Sequence, residues 1–418
     1  MSTFDGHRPG SAPYRRLTLA LFAAGLATFA ALYSTQAVLP DLAHDFGLSP
    51  AASALSVSAA TLGLGVALLV VGPVTERVGR TPLMHTSLAA SSVAGVLCAI
   101  APTWPLLLGL RVLQGVTLAG LSAVAMAYLR EEVAPEAHGR ASGLYIGGTA
   151  LGGMVGRLLA SGVGDVAGWR WALGAIAAFG VACTVVVRLL LPASSGFVPA
   201  APGRAAIWAT TRHVLGDRAL LLLYAFAALA MGGFVATYNT LGFRLAAPPY
   251  ALSLGVAGLV FLSYALGSVS STVAGGLADR FGRRAVLPVG VAVSLAGLTL
   301  TLAAPLWLVV VGVALETVGF FAAHGVASGW VAARAALGGG GTGQASSFYL
   351  FAYYLGSSVF GSVSGLAWSA GGWDLVVVVV GALFVLALGC GLALRRVPSL
   401  LAGSREVSDT RRNLRRHR

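Results

Sequence analysis

Apolar residues fall in twelve blocks of about twenty, each long enough to cross a bilayer as a helix. They run from Leu17 to Leu39, Ser53 to Val74, Leu83 to Ala101, Leu106 to Tyr128, Ala141 to Val163, Trp171 to Leu191, Ala219 to Leu241, Leu252 to Leu277, Ala285 to Ala304, Leu306 to Ala332, Gln344 to Trp368 and Leu375 to Leu394. Most charged residues fall in the stretches between. The pattern predicts an all-α polytopic membrane protein with twelve transmembrane helices. Gly, Ser and Thr interrupt the fifth, eighth, tenth and eleventh blocks and weaken them as hydropathy peaks.

Composition agrees with that class and narrows it little further. Hydrophobic residues make up 57% of the chain and charged residues 10%, against about 25% charged in soluble domains. Charge does more, because it sets orientation. All 27 basic residues are Arg, and all but Arg111, Arg157, Arg170 and Arg244 fall on the face that carries both termini. Cytoplasmic loops hold the excess of positive charge, so both termini are expected in the cytoplasm of a multi-pass inner (plasma) membrane protein. Asp41, Asp45, Asp165 and Asp374 then lie in short external loops.

A nucleic-acid partner is not expected from the net charge of +13, since the arginines are dispersed between apolar blocks rather than gathered on a face with aromatics. Membrane lipid is the expected partner of the basic tail. Cys98, Cys183 and Cys390 each sit inside an apolar block, without metal or disulfide spacing. Arg15-Arg16 before an apolar run has the start of a signal peptide but reads as the flank of a retained first helix.

The chain also repeats itself at an offset of 203 or 204 positions. Gly72-Pro-Val-Thr-Glu76-Arg77-Val-Gly79-Arg80 lands on Gly275-Gly-Leu-Ala-Asp279-Arg280-Phe-Gly282-Arg283. Ala101-Pro-Thr-Trp104 lands on Ala304-Pro-Leu-Trp307, Gly168-Trp169 on Gly372-Trp373, Gly152 on Gly356, and Gln36 on Asn239. Two pseudo-symmetric six-helix bundles follow, an architecture of secondary transporters. The expected division is a cytoplasmic arm over 1–16, a bundle over 17–191, a cytoplasmic linker over 192–218, a second bundle over 219–394 and a basic cytoplasmic tail over 395–418.

In the loop after the second helix of each half, a carboxylate followed by Arg between glycines makes a tight charged turn at the membrane edge. Gly72, Glu76, Arg77, Gly79, Arg80 and their twins Gly275, Asp279, Arg280, Gly282 and Arg283 could pair with a helix end in one conformation and release it in another. The duplicated turn resembles the signature loop of the major facilitator superfamily, with Glu76 where Asp is usual in the first copy. The resemblance covers essentially the whole chain and implies the fold of that family's twelve-helix transporters.

Arg111-Val-Leu-Gln114-Gly115 resembles the family's helix-four Arg-x-x-Gln-Gly motif, and the resemblance associates Arg111 and Gln114 with proton coupling. The glycine run from Gly143 to Arg157 is similar to the helix-five signature of family antiporters. It departs from that pattern in having Gly153 at the proline position and Arg157 at a small-residue position. Gly148, Gly152, Gly153 and Gly156 suit close helix packing. Arg111 and Arg157, at a similar depth of roughly 9 Å below the outer face at 1.5 Å rise per residue, are expected to make a positive cavity.

Glu316 is the acidic residue placed deepest within a helix. Removal from water disfavours a charged carboxylate, so it could bind and release a proton, or neutralise Arg111 or Arg157. His324, two turns on, is a candidate relay or a packing residue. Tyr33, Gln36, Tyr238, Asn239 and Tyr353 are candidate substrate-cavity residues, offering amides, hydroxyls and rings.

No Walker loop, zinc motif or nucleophile elbow appears, so no enzyme activity, cofactor or metal is expected. The expected function is secondary active transport. In this reading a monomer resembling the drug and sugar efflux branch exports small, mainly apolar molecules by proton antiport through alternating access. The rival readings are a proton-coupled uptake symporter of a small organic anion, suggested by Arg111 and Arg157, and a non-transporting membrane sensor or scaffold.

Overall fold

The computed structural model describes residues 5–197, 203–338 and 340–398, apart from the side chains of residues 72, 73, 76, 77, 204 and 206. Ten helical runs are long and apolar enough to cross a membrane. One of them, Thr342–Ala393, is two helices, because Gly371 and Gly372 leave the helical region of backbone space. His138–Ala167 is a further helix of 30 residues that its glycines and Arg157 make less apolar. Among the described residues the spans therefore number twelve, as the hydrophobic pattern predicts.

In order, the first span is Ala12–Leu32, a turn over 33–35, and Leu39–Phe46. The next five are Pro50–Val78, Arg80–Ala99, Trp104–Glu132, His138–Ala167 and Trp169–Leu190. The second bundle holds Arg218–Ala246, Leu254–Phe281, Arg283–Leu300, Leu306–Leu337 and the two helices over 342–370 and 373–393. Several helices overrun their apolar blocks by a turn or more. An α-helix already has every interior backbone group bonded, and it continues into the interface until a Gly, Pro or cap ends it.

The outer surface is apolar. Val66, Val70, Trp171, Leu189, Val269 and Val378 are all exposed, as a lipid-facing wall requires.

The repeat is carried by backbone geometry as well as by sequence. Gly79 and Gly282, at matched places between second and third spans of each half, have φ of 88° and 85°, a region that side chains with a Cβ avoid. At Gly152 a Cβ would stand 2.4 Å from Leu26 O, and at its twin Gly356 a Cβ would stand 1.9 Å from Ala228 O. The fifth span is thereby pressed on the first, and the eleventh on the seventh. Gly148 and Gly156 do the same work, against Phe22 O and Ala30 Cα, whereas Gly153, expected to pack likewise, faces only the Arg157 side chain of its own helix.

Between the halves, the chain makes a helix that the hydrophobic pattern does not announce, Arg204–Gly216. Its Val214 is fully buried. Asp217 then caps the seventh span, its Oδ1 accepting from Ala219 N at 2.7 Å and Leu220 N at 3.2 Å. Asp217 Oδ2 also pairs with Arg334 Nε at 2.8 Å, tying the cap to the tenth span. Of the basic tail, residues 399–418 lie outside the described residues.

The hydrogen bonds that join the bundles gather in the half remote from the termini. Gln36 Nε2 donates to Asn239 Oδ1 at 2.7 Å, and Ser253 Oγ to Asp165 Oδ2 at 3.1 Å. Ser58 and Thr61 of the second span meet Ser358 and Ser362 of the eleventh at 2.7–2.8 Å. Hydroxyl-to-hydroxyl contacts hold the bundles at modest strength, on the order of 1 kcal/mol each. Such a seam can be parted.

Candidate functional site

The first span does not run straight to its end. It breaks after Leu32, and the break leaves carbonyls without helical partners. Arg111, fully buried in the fourth span, fills that gap. Its Nη1 donates to Ala31 O at 2.9 Å and Ser34 Oγ at 3.2 Å, its Nε donates to Ser56 O at 2.9 Å, and its Nη2 bonds Leu32 O. Gln114 Oε1 accepts from Arg111, and Gln114 Nε2 donates to Ser91 O at 3.4 Å. The guanidinium is thus spent on the backbone of its own bundle.

Arg157 lies elsewhere, at the seam. Its Nε donates to Gln36 Oε1 at 2.6 Å and its Nη1 to Gly153 O at 2.6 Å. Rings surround its Cζ, with centroids of Tyr33 at 4.4 Å, Tyr264 at 4.6 Å and Phe261 at 5.4 Å. A guanidinium over aromatic faces is attracted by their quadrupoles, and more so where water is excluded. From Arg157 a chain of bonds continues through Gln36 to Asn239, whose Nδ2 donates to Gly361 O at 2.9 Å. The fifth, first, seventh and eleventh spans are joined in one line.

This geometry corrects the expectation that Arg111 and Arg157 share one positive cavity. Arg111 is walled into the first bundle as a helix clamp, and Arg157 alone reaches the other bundle. It also removes the expected charge pair, since neither arginine bonds Glu316. The amides of Gln36 and Asn239, expected to be open to a ligand, are engaged with each other in this state.

Glu316 is fully buried, and neither carboxyl oxygen meets a hydrogen-bond partner. The Thr237 hydroxyl lies beside it, 3.3 Å from Gly233 O, and is the group that can turn to the carboxyl. One residue on, Thr317 Oγ1 meets Tyr238 Oη at 2.7 Å, and Tyr238 Oη meets Ser263 Oγ at 2.6 Å. Tyr264 stands within electrostatic reach of both Arg157 and Glu316. Acid and cation therefore flank one tyrosine without touching.

Below this cluster, rings line up along the tenth span. Phe234 stacks on Phe320 at 4.1 Å, and the His324 ring stacks on Phe320 at 5.7 Å and tilts against Tyr353 at 4.8 Å. His324 Nδ1 and Tyr349 Oη are 2.9 Å apart, so the histidine is a packed, bonded residue. Tyr33 and Ser357 bring two buried hydroxyls close to each other in the same region, with no other partner among the described residues.

The charged turns lie at the far end, by the termini. Arg80 Nη2 pairs with Glu131 of the fourth span at 2.8 Å and Nη1 donates to Thr75 Oγ1 at 2.9 Å, with the Phe197 ring at 4.8 Å. In the twin turn, Asp279 and Arg280 are exposed, and Arg280 lies over Phe281 at 5.0 Å. Gly275 and Arg283 are half-buried. The side chains at Gly72, Glu76 and Arg77 lie outside the described residues.

Sequence reasoning passed over Phe261, Tyr264, Ser263, Thr317 and the seam hydroxyls Ser58, Thr61, Ser358 and Ser362. A signal existed for several of them. The Ser and Thr residues that weaken the eighth and eleventh blocks as hydropathy peaks include Ser263, Ser358 and Ser362, which bond across helices.

Loosening the seam should be measurable. Asn239→Leu removes the central link of the chain of bonds and is expected to raise the labelling rate of a cysteine placed at Leu241 several-fold, using an impermeant maleimide. An unchanged rate would show that the other seam contacts suffice.

Two bundles of six helices, closed over a buried polar cluster, make a membrane transport protein. The chain belongs to the Major Facilitator Superfamily, whose family model matches residues 21–247 and again 229–416. It is 42% identical over 387 residues to the inner membrane transport protein YnfM of Escherichia coli (strain K12), covering 93% of this chain and 92% of that one. It is 38% identical to YybF of Bacillus subtilis (strain 168), an uncharacterized MFS-type transporter, over 91% of this chain and 94% of the relative. In fold it is similar to a bacterial homolog of the human lysosomal transporter Spinster in an inward-facing and occupied conformation. The TM-score is 0.76 at 17% identity, over 93% of this chain and 98% of that one. A D-xylose-proton symporter matches with a TM-score of 0.71 at 15% identity, covering 93% and 98%.

Proposed function

We propose that this protein exports small, mainly apolar molecules in exchange for protons, with both termini in the cytoplasm. Glu316 carries the reading. An ionised carboxylate without a partner at that depth costs several kcal/mol, so Glu316 holds a proton in the state described. Substrate entering beside it brings polar groups or water to the seam, and the carboxyl can then let its proton go. Proton and substrate compete for one place, and competition is what antiport needs.

The distribution of arginines supports the orientation. On that orientation the bonded half is external, and the molecule faces inward, as its Spinster-homolog neighbour does. Export then proceeds by parting the Gln36–Asn239, Ser58–Ser358 and Asp165–Ser253 contacts while the cytoplasmic half closes. The rings of Phe234, Phe320, His324 and Tyr353 supply apolar surface for the substrate's body.

Everted vesicles test this. With the lumen acidified, they should accumulate a compound to which cells expressing the protein become tolerant, and an uncoupler should stop accumulation. Accumulation that ignores the pH gradient would sink the proposal. Arg157, the cation at the seam, favours as second reading the uptake of an organic anion. That reading predicts accumulation in right-side-out vesicles instead.

A further inference from the structure

Between the first, seventh and eighth spans, on the external side of the Gln36–Asn239 bond, lies a cavity of about 170 Å³. Gln36, Tyr238 and Phe261 form its floor, and Asp41, Gly242 and Leu252 stand around it. It lies on the external side of the Glu316 cluster and shares only the Tyr238 ring with it. Phe261 and Gln36 are the partition, since both also contact Arg157.

Three features define what this cavity can hold. Its walls are mainly apolar, from Leu241, Leu245 and Ala246 to Ala257 and Val260. Its volume is that of a small ring, for an apolar cavity of ~150 Å³ in another protein takes up benzene. Its one charged lining residue is Asp41, which is half-buried and makes no hydrogen bond or ion pair among the described residues. His44 and Asp165 both act on Asp41 electrostatically, in opposite senses and His44 the more strongly, so the carboxylate of Asp41 itself, with Asp165 beyond it, is what the mouth offers a cation. The nearby cation, Arg157, stands behind the partition and is committed to Gln36 and Gly153. An apolar pocket with a carboxylate at its rim favours an amphipathic cation, its ring buried and its ammonium charge-paired.

We infer that this cavity is a second ligand site that binds a small organic cation with a ring-sized apolar body, its ammonium on Asp41. The transport reading supplies only its role as a vestibule on the exit path. Occupancy itself does not depend on that reading. A ligand leaving the centre would pass the Gln36–Asn239 bond and the Phe261 ring, and would be held here until the external half opens.

The test is binding, read without transport. Benzylammonium is titrated calorimetrically into the full chain in lipid nanodiscs, with benzyl alcohol as neutral counterpart. Wild type should bind benzylammonium saturably and more tightly than the alcohol. Asp41→Asn, which keeps the volume and removes the charge, should weaken binding about tenfold. Gly242→Leu should abolish it by filling the cavity, because a Cβ there meets nothing nearer than Pro40 Cγ at 3.6 Å. Glu316→Gln should leave it intact.

Absence of saturable binding to wild type, or equal affinity in Asp41→Asn, overturns the inference. So does loss in Glu316→Gln with retention in Asp41→Asn, which would place the probe at the centre. Should a variant elute as aggregate, Leu252→Cys gives a second readout. Benzylammonium, and not the alcohol at equal concentration, should slow its maleimide labelling, and no protection overturns the site. Failure of export in vesicles would leave these results standing.

Discussion

Glu316→Gln should abolish accumulation driven by a pH gradient while leaving exchange of labelled for unlabelled substrate near the wild-type rate. The substitution changes one atom and very little volume. It keeps the carboxyl's shape in a site where neither oxygen is hydrogen-bonded, and it removes only the exchangeable proton. Substrate still enters, and the bundles still rock, so exchange continues. Without a group that gains and loses a proton on alternate faces, the gradient has nothing to act on. Accumulation should fall to the level of vesicles without protein, and its pH dependence should flatten.

Stability should move little, by about 1 kcal/mol or less, since an unpartnered neutral acid is exchanged for an amide of the same size. Counterflow in Glu316→Gln that still responds to an imposed pH gradient would remove Glu316 from the coupling mechanism. Loss of exchange and accumulation together, in protein that elutes as a single species, would make Glu316 a substrate-binding group without a coupling role.

What could be read from the sequence divides along a physical line. The spans were legible because a bilayer imposes one demand on every residue of a crossing helix, and apolar length answers it. The repeat was legible because turns at Gly79 and Gly282, and close approaches at Gly152 and Gly356, tolerate almost no other residue. Offset matching found Gln36 and Asn239 as equivalents, and in the fold they bond each other.

The roles of the buried charges were less legible. Arg111 and Arg157 look alike as intramembrane arginines of similar depth. What separates them is helix rotation, and whether a helix break lies opposite. The break after Leu32 falls inside the block from Leu17 to Leu39, and although Ser34, Thr35 and Gln36 follow it directly, polar residues alone do not mark a run of free carbonyls. The cage around Arg157 draws Phe261 and Tyr264 from the eighth span, more than 100 positions along the chain. Local sequence carries no record of such a contact. The linker helix was missed for a simpler reason, since Arg204–Gly216 is short and mixed in polarity.

The clamp made by Arg111 leads to the largest expected loss of stability. Arg111→Met keeps much of the side-chain volume but leaves Ala31 O, Leu32 O and Ser56 O without the donors they now have. Each buried acceptor left without its donor costs roughly 1–3 kcal/mol, and although Ala31 O still accepts from Ser34 N at 3.3 Å, the losses fall together on one helix break. The first span is held in its broken course by those bonds, and Tyr33, Gln36 and the seam beyond depend on that course. Arg111→Met should therefore melt at a markedly lower temperature in detergent and elute largely as aggregate.

Arg111→Lys separates charge from geometry. An ammonium has three donors at one point, where the guanidinium spreads five over a plane. It cannot serve carbonyls on both the first and second spans, so Lys should recover only part of the loss. A purely electrostatic role, such as proton coupling at Arg111, predicts the reverse pattern. Lys would then restore stability and activity together, and Met would fold normally but fail in transport. Thermal melting of the two variants beside Glu316→Gln distinguishes these cases, because the clamp predicts a large shift for Arg111 and almost none for Glu316.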